Sequence, residues 1–281
     1  KFKASLKKHQ ELALHNMKLL EDGDVTVNSV STINSNIGIY SDCVGAGKSY
    51  TLLALIDIND RELDESRLEV HMAGCVQMKH ISTMRTTMTT LLVVPHSIIK
   101  QWEGYILENT DFTYYKINNN KARERFQVDS SLDIILVSST MYNQFLMYHS
   151  DIQFNRVIFD EADSINIPNC DKPNTNFTWM VTSSLQNLLF VHGYYYVREH
   201  VEGPFMSRHF KRHLVNGIRK NGYIKETFKS LHPLSDHILK YIVIKNNDDF
   251  IQNCFQMLEP EILTINCSTP AYLNIVKGVT S

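Results

Sequence analysis

Residues 41–51 read SDCVGAGKSYT, and whether they form a phosphate-binding loop decides the fold. Such a loop ends in Gly-Lys-Ser or Gly-Lys-Thr and opens with a glycine five residues earlier. Here Asp42 stands at that opening position. Gly45 and Gly47 still supply backbone that lets N–H groups close round phosphate oxygens. A helix starting near Lys48 adds the positive end of its dipole. In this reading Lys48 bridges the outer phosphates and Ser49 ligates magnesium, with Ala46 and Tyr50 completing the nucleotide-side surface. The competing interpretation is an ordinary strand-to-helix turn.

The flanking sequence favours the loop. NIGIYS (36–41), LLVVP (91–95), DIILVS (133–138), RVIFD (156–160) and TWMVTS (178–183) are short, nearly continuous apolar runs. Strands of a parallel sheet read this way because helices cover both faces. Between them KSYTLLALIDI and HSIIKQWEGYIL carry helical spacing. The alternation predicts an α/β fold with a helix-wrapped parallel sheet, whose ligands bind at the carboxyl ends of the strands. The 41–51 stretch follows one such strand.

A second acidic motif follows another. VIFDEADS (157–164) ends an apolar strand in Asp160 and Glu161. A carboxylate there can hold magnesium, and its neighbour can orient or deprotonate an attacking water. Asp163 is a candidate for passing changes at this site to the next motif. An acidic helix N-cap would also place Asp and Glu here, but two half-sites in this order favour the nucleotide reading.

Composition narrows the class. With 281 residues, 43% of them hydrophobic, the chain can bury a large core. Its 28 basic and 30 acidic residues leave a formal net charge of -2, which excludes a globally basic nucleic-acid footprint and makes any such surface local. Cys43, Cys75, Cys170, Cys254 and Cys267 show no paired spacing, a pattern of reduced thiols in an intracellular compartment. The 12 histidines show no metal-ligand spacing. No apolar run is long enough to span a membrane. The first residue is Lys1 rather than methionine, which reads as a piece excised from a longer protein. Polar residues 59–90 suggest an exposed hairpin or loop, 191–232 a helical insertion, and 239–276 two further strands with helices between. Seven Lys/Arg against one acid between Ser207 and Ser230 form a local basic segment, read as a solvated helical face or a phosphate grip. Cys43, close to Lys48 and a helix N-terminus, is expected to favour its thiolate.

These motifs together resemble the first RecA-like lobe of superfamily 2 helicases and translocases, most closely the Swi/Snf branch. That branch commonly carries Asp where Asp42 stands. LKKHQELAL (6–14) is similar to the segment whose glutamine reads adenine, which implies that role for Gln10. LLVVPHSIIKQWEGYI (91–106) resembles the branch's Pro-x-Ser and Gln-Trp motif beside the nucleic-acid groove. ILVSSTMYN (135–143) resembles the next backbone-contacting motif. The nucleic-acid face implied is Pro95, His96, Ser97, Lys100, Ser139 and Thr140. TWMVTSSLQN (178–187) resembles the coupling motif, with Thr182 and Ser183 as relays, although Ser183 and Ser184 replace its usual Gly and Pro. LTINCSTPAYLNIVKG resembles the tail of the lobe.

The resemblance implies ATP and Mg2+ as cofactors, duplex DNA as partner, and a second helicase lobe in cis that carries the arginine finger. Catalysis would fall to Lys48, Asp160 and Glu161. DEADSINIPN (160–169) is also similar to Swi/Snf-like helicases of large eukaryotic DNA viruses, implying a viral factory in the host cytoplasm or the virion. An RNA helicase remains the alternative, on the strength of DEAD at 160–163. A degenerate nucleotide-binding scaffold is the third reading, on the strength of the altered coupling motif.

Overall fold

In the computed structural model of the chain, the residues described are 1–23, 25–28, 31–58, 66–73, 76–83, 85–129, 131–189, 192–201, 209–218 and 236–255. The chain opens with α1 (Lys8–Glu21), a short pair β1 (Val25–Asn28) and β2 (Ser31–Ile33), then β3 (Ile37–Tyr40) and α2 (Lys48–Asp57). Strands β4 (Ser66–Ala73) and β5 (Val76–Thr83) precede β6 (Arg85–Val94), α3 (Ile99–Asn109), β7 (Tyr114–Ile117), α4 (Asn120–Arg125) and β8 (Ile134–Ser138). Next come α5 (Tyr142–Tyr148), β9 (Ile152–Phe159), β10 (Thr175–Val181) and α6 (Leu185–Leu189). Strands β11 (His192–Val201) and β12 (His209–Ile218), then α7 (Asp236–Ile242), β13 (Val243–Ile244) and α8 (Asp248–Phe255), complete the described elements.

Seven strands form one sheet in the order β13-β3-β10-β9-β6-β8-β7, and every neighbouring pair is parallel. Period-two alternation divides the strand residues between two cores. Leu91, Val93, Ile135, Val137, Val157 and Phe159 pack on one face with Tyr142, Phe145 and Leu146 of α5 and Leu188 of α6. Leu92, Val94, Ile134, Leu136 and Ile158 pack on the other with residues of α1, α2 and α3, among them Met17, Leu52, Leu55, Trp102 and Ile106. Burial on both faces is why these strands read as unbroken apolar runs. Gly38 lies where β3 meets Trp179: a Cβ there would come within 2.3 Å of the indole ring.

A buried ion pair joins α1 to the sheet. Arg156 of β9 and Glu21 of α1 are both fully buried. Arg156 Nε and Nη2 donate to Glu21 at 2.7 and 2.8 Å, Trp179 Nε1 donates to the same carboxylate at 2.8 Å, and Nη2 also reaches Ile58 O.

The structure departs from the sequence-based expectations in several places. Residues 192–201 and 209–218, expected as part of a helical insertion over 191–232, pair instead as an antiparallel hairpin. HGYYYV is rich in aromatic and β-branched residues, which suit a pleated surface better than a helix. The rest of that interval, with most of the basic segment, lies outside the described residues. Within 59–90, β4 and β5 form their own antiparallel pair, but β6 already begins at Arg85, so the exposed segment ends earlier than expected. The bury-and-pair demand of a central strand recruits Thr87, Thr89 and Thr90, all buried, despite their polarity. LKYIVI, expected as a strand, is mostly α7 with only Val243 and Ile244 in the sheet. The further strand and tail motif expected beyond residue 255 lie outside the described residues. Among the described residues, no helix is long and apolar enough to cross a membrane.

Candidate nucleotide-binding site

The motif-bearing strands all deliver their residues at one edge of the sheet. β3 feeds the loop beginning at Ser41, β9 feeds Asp160 and β10 feeds Thr182. Because β3, β10 and β9 are successive neighbours, motifs more than a hundred residues apart lie side by side. β6 and β8 extend the same edge with Pro95 and Ser139.

The loop itself is set by two left-handed glycines, Gly45 at φ 81° and Gly47 at φ 76°. A Cβ on Gly47 would come within 2.5 Å of Gln10 Nε2, whereas one on Gly45 would meet nothing within 4 Å. Gly47 therefore permits close packing against α1, and Gly45 borders open space. Lys48 Nζ donates to the carbonyls of Asp42 at 2.9 Å and Cys43 at 3.1 Å. These are backbone partners that a phosphate oxygen can replace. Ser49, Tyr50 and Ser183 are half-buried.

Asp42, which stands where the loop signature has glycine, is fully buried. Its Oδ1 accepts from the backbone N–H of Asn246 at 2.7 Å. Its Oδ2 accepts from Asn246 Nδ2 and from the Tyr40 hydroxyl, both at 2.9 Å. Asn246 Nδ2 also reaches His9 O at 3.0 Å. The carboxylate thus ties the loop to α1 and to the residues after β13. Burial, and then the neighbouring Asp42 charge, push the Tyr40 phenol well above its ordinary value. Asn246 escaped the sequence reading, since an Asn 204 residues away carries no local signal.

Gln10 is buried beside the loop. Its Oε1 accepts from Lys7 N at 2.8 Å, which caps α1, and its Nε2 donates to Gly47 O at 3.0 Å and Ala46 O at 3.3 Å. His9 Nε2 donates to Ala46 O at 2.9 Å. In this conformation Gln10 holds the loop.

The acidic half-site is equally constrained. Asp160 accepts at Oδ2 from Trp102 Nε1 at 2.7 Å. Glu161 adopts φ 52°, a left-handed backbone that costs a non-glycine residue of order 1 kcal/mol or more and clusters at functional sites. Asp163 Oδ1 accepts from Thr182 Oγ1 at 2.6 Å, and Thr182 Oγ1 accepts from Ser184 N at 2.9 Å. Thr182 N donates to Tyr40 O at 3.0 Å and Ala162 N to Val181 O at 2.8 Å. The DEAD turn, the coupling motif and the strand leading to the phosphate loop are therefore stitched together.

Farther along the edge His96, Ser97, Lys100 and Thr140 are exposed, with Pro95 and Ser139 half-buried. His96 Nδ1 lies 3.3 Å from Ser138 Oγ, which lies 3.0 Å from Thr140 Oγ1. Trp102, associated by resemblance with the nucleic-acid groove, points instead into the core. Cys43 also differs from expectation. Burial and the carboxylates of Asp248 and Asp42 push its thiol up, and together they outweigh Lys48.

The sequence profile of the SNF2-related domain matches residues 9–184, well over half of the chain, and takes in the 41–51 loop and the acidic turn at 160–163. The chain belongs to the SNF2-related domain family. "Putative helicase R592" of Acanthamoeba polyphaga mimivirus is 20% identical, over 90% of this chain and 34% of its own length. The chain thus spans about a third of that curated relative. Among solved structures, the "Sulfolobus solfataricus SWI2/SNF2 ATPase core in complex with dsDNA" is 14% identical with a TM-score of 0.45, over 65% of this chain and 32% of that one. A nuclease-deletion mutant of the Type ISP restriction-modification enzyme LlaGI, in complex with a DNA substrate mimic, is 14% identical with a TM-score of 0.40, over 64% and 17%.

The SNF2-related lobe has an acid-sensitive group at its centre. Burial raises the Asp160 carboxyl to about 6, the Trp102 N–H opposes that rise, and the Glu161 charge adds to it. Stability follows the proton. The fold without ligand gains from protonated Asp160 below about pH 3.9, and that gain is lost as pH rises through about 6. A divalent cation held by Asp160 would compete with the same proton. If Asp160 holds the cation, the Mg2+-dependent part of ADP affinity is expected to fall about tenfold between pH 7 and pH 5, as read by calorimetry with and without EDTA. Equal Mg2+ dependence at both pH values would contradict the assignment of Asp160.

Proposed function

We propose that this lobe binds Mg-ATP and is the ATP-binding part of an ATP-dependent nucleic-acid motor, a Swi/Snf-type double-stranded DNA translocase or helicase. The observation that carries the reading is the placement of the Gly45–Ser49 loop and the Asp160–Glu161 pair at adjacent strand ends. The open space at Gly45, a lysine that among the described residues donates to two replaceable carbonyls, and a buried carboxylate at a nearby strand end fit a magnesium nucleotide. Lys48 and the loop N–H groups hold the phosphates, and Ser49 and Asp160 hold the cation. Magnesium, when bound, neutralises charge on the phosphate oxygens. Glu161 orients and deprotonates the attacking water. Asp163 and Thr182, already hydrogen-bonded, pass the change with Ser183 toward Pro95, His96, Ser97, Lys100, Ser139 and Thr140. For Gln10 to read adenine, its amide must leave the Ala46 and Gly47 carbonyls.

Duplex DNA is favoured as partner because Asp42 and the Gln101–Trp102 pair follow the Swi/Snf pattern. Contacts to its phosphates would be salt-sensitive and independent of sequence. A second lobe in cis supplies the arginine, and the work takes place inside a cell, in a viral factory or virion if the kinship with R592 extends to origin. DEAD at 160–163 supports an RNA helicase as the second reading. ATPase stimulation by duplex DNA compared with RNA, in the protein that carries both lobes, separates the two.

Lys48→Ala tests the site in the chain itself. Its charge-assisted bonds to phosphate are worth about 1.5–3 kcal/mol, so ATP affinity should fall roughly 10- to 100-fold by calorimetry. The fold should persist, because the side chain is only half-buried. Equal affinity in wild type and variant would remove the phosphate-loop assignment.

A further inference from the structure

The helix that follows the exposed 95–98 turn reaches both halves of the nucleotide site, and its tryptophan is the point of contact. Trp102 is 1% exposed, and a buried indole N–H requires an acceptor. Its acceptor is Oδ2 of Asp160, at 2.7 Å. The acceptor comes from the end of β9, 58 residues away. One turn along α3, Tyr105 packs edge-on to the Trp102 ring, with centroids 5.9 Å apart at 84°. Tyr105 in turn lies 6.0 Å, ring to ring, from Tyr50 in the first turn of α2. A single helix therefore touches the acidic residue through an N–H and the phosphate-loop helix through two aromatic rings. Its amino end continues directly into Pro95–Ile98, where His96 and Ser97 are exposed.

We infer that Trp102 is a positioning residue for the cation-holding carboxylate: its indole N–H fixes the rotamer of Asp160 and links that rotamer to the exposed His96, Ser97 and Lys100. This rests on the nucleotide reading given above. A carboxylate with one oxygen bound to a fixed N–H offers the other to a cation in a set orientation, as outer-shell donors do for metal ligands generally. Because Trp102 is rigidly packed, a shift of α3 caused by contact at His96, Ser97 or Lys100 moves the donor and so alters Asp160. Conversely, a cation drawing on Asp160 pulls on α3. The bond thus gives the outer surface a route to the metal that is separate from the Asp163–Thr182 link.

The test compares two affinities in the 281-residue chain. ADP is titrated by calorimetry in excess Mg2+ and in EDTA, for wild type and for Trp102→Phe, which keeps an aromatic ring and removes the N–H. Loss of an outer-shell donor typically costs about 10–100-fold in metal affinity. The Mg2+-dependent gain in ADP binding should fall by about that factor, while affinity in EDTA stays the same. A purely packing role predicts lower thermal stability with the Mg2+-dependent gain unchanged, and that result overturns the inference. A second measurement needs no substitution to fold. The chain has two tryptophans, and the other, Trp179, donates to Glu21. In protein labelled with 5-fluorotryptophan, adding Mg2+ to the ADP complex should move the Trp102 fluorine resonance and leave that of Trp179 in place. An unmoved Trp102 resonance overturns the inference. Wild type that gains no ADP affinity from Mg2+ would instead remove the nucleotide reading, and this inference with it.

Discussion

Glu161→Gln is expected to leave ATP binding intact while lowering turnover by about 10²–10⁴-fold, the usual contribution of a general base. The amide keeps the length and shape of the side chain and can occupy the same left-handed backbone at φ 52°. It cannot accept a proton. The measurement is steady-state phosphate release from the protein that carries both lobes, with duplex DNA present, beside an ATP titration of the same variant. Near-normal turnover would move the base elsewhere; loss of binding would make Glu161 a ligand rather than a base. The strained conformation at this residue makes a second outcome informative. Glu161→Gly relieves the strain, so a variant that is more stable yet inactive would show that the backbone cost is retained for function.

The other large effect is on stability, at the buried ion pair between α1 and β9. Glu21→Ala is expected to cost about 3–5 kcal/mol, because it leaves a buried guanidinium without its counter-charge. It also strands the Trp179 N–H, whose acceptor is Glu21. Among the described residues Arg156 Nη1 already lacks a hydrogen-bond partner, so little is available to compensate. Replacing both partners by apolar residues, as in Glu21→Leu with Arg156→Met, should cost much less than the single change. Urea unfolding of the three proteins decides this. A single-variant loss below about 1 kcal/mol would mean that water or backbone rearrangement takes over the carboxylate's part.

What could be read from the sequence followed from how local each determinant is. Five parallel strands were visible because burial on both faces writes an unbroken apolar run, as in Ile134–Val137. Tyr114–Ile117 was missed because β7 is an edge strand, half-buried except at Ile117, and so lacks that run. The loop and the acidic turn were visible because their chemistry is confined to a few consecutive residues. Their supports were not. The partners of Asp42, Asp160 and Arg156 lie 204, 58 and 135 residues away, and no periodicity within a segment announces a hydrogen bond across the sheet. The resemblance places the Gln-Trp motif beside the nucleic-acid groove but says nothing of where Trp102 itself points, and its N–H and its size take it into the core. The 191–232 region is expected as a helical insertion, yet its described residues 192–201 and 209–218 pair as antiparallel strands, and the charge between Ser207 and Ser230 does not distinguish a helix from a hairpin.

The Asp42–Asn246 bonds also bear on the order in which the molecule comes together. Strand β13 is only two residues long, far too short to hold itself in place, and it docks on β3 from about two hundred residues downstream. Closing so long a loop is slow and entropically costly, so contacts of this kind form late in folding. The phosphate loop is therefore completed by one of the last segments to arrive. A nascent chain can build β3, β9 and β10 with most of the core while its nucleotide cradle is still unanchored. Nucleotide and β13 then stabilise each other by mass action, and competence to bind becomes a property of the finished lobe rather than of the motif that names it.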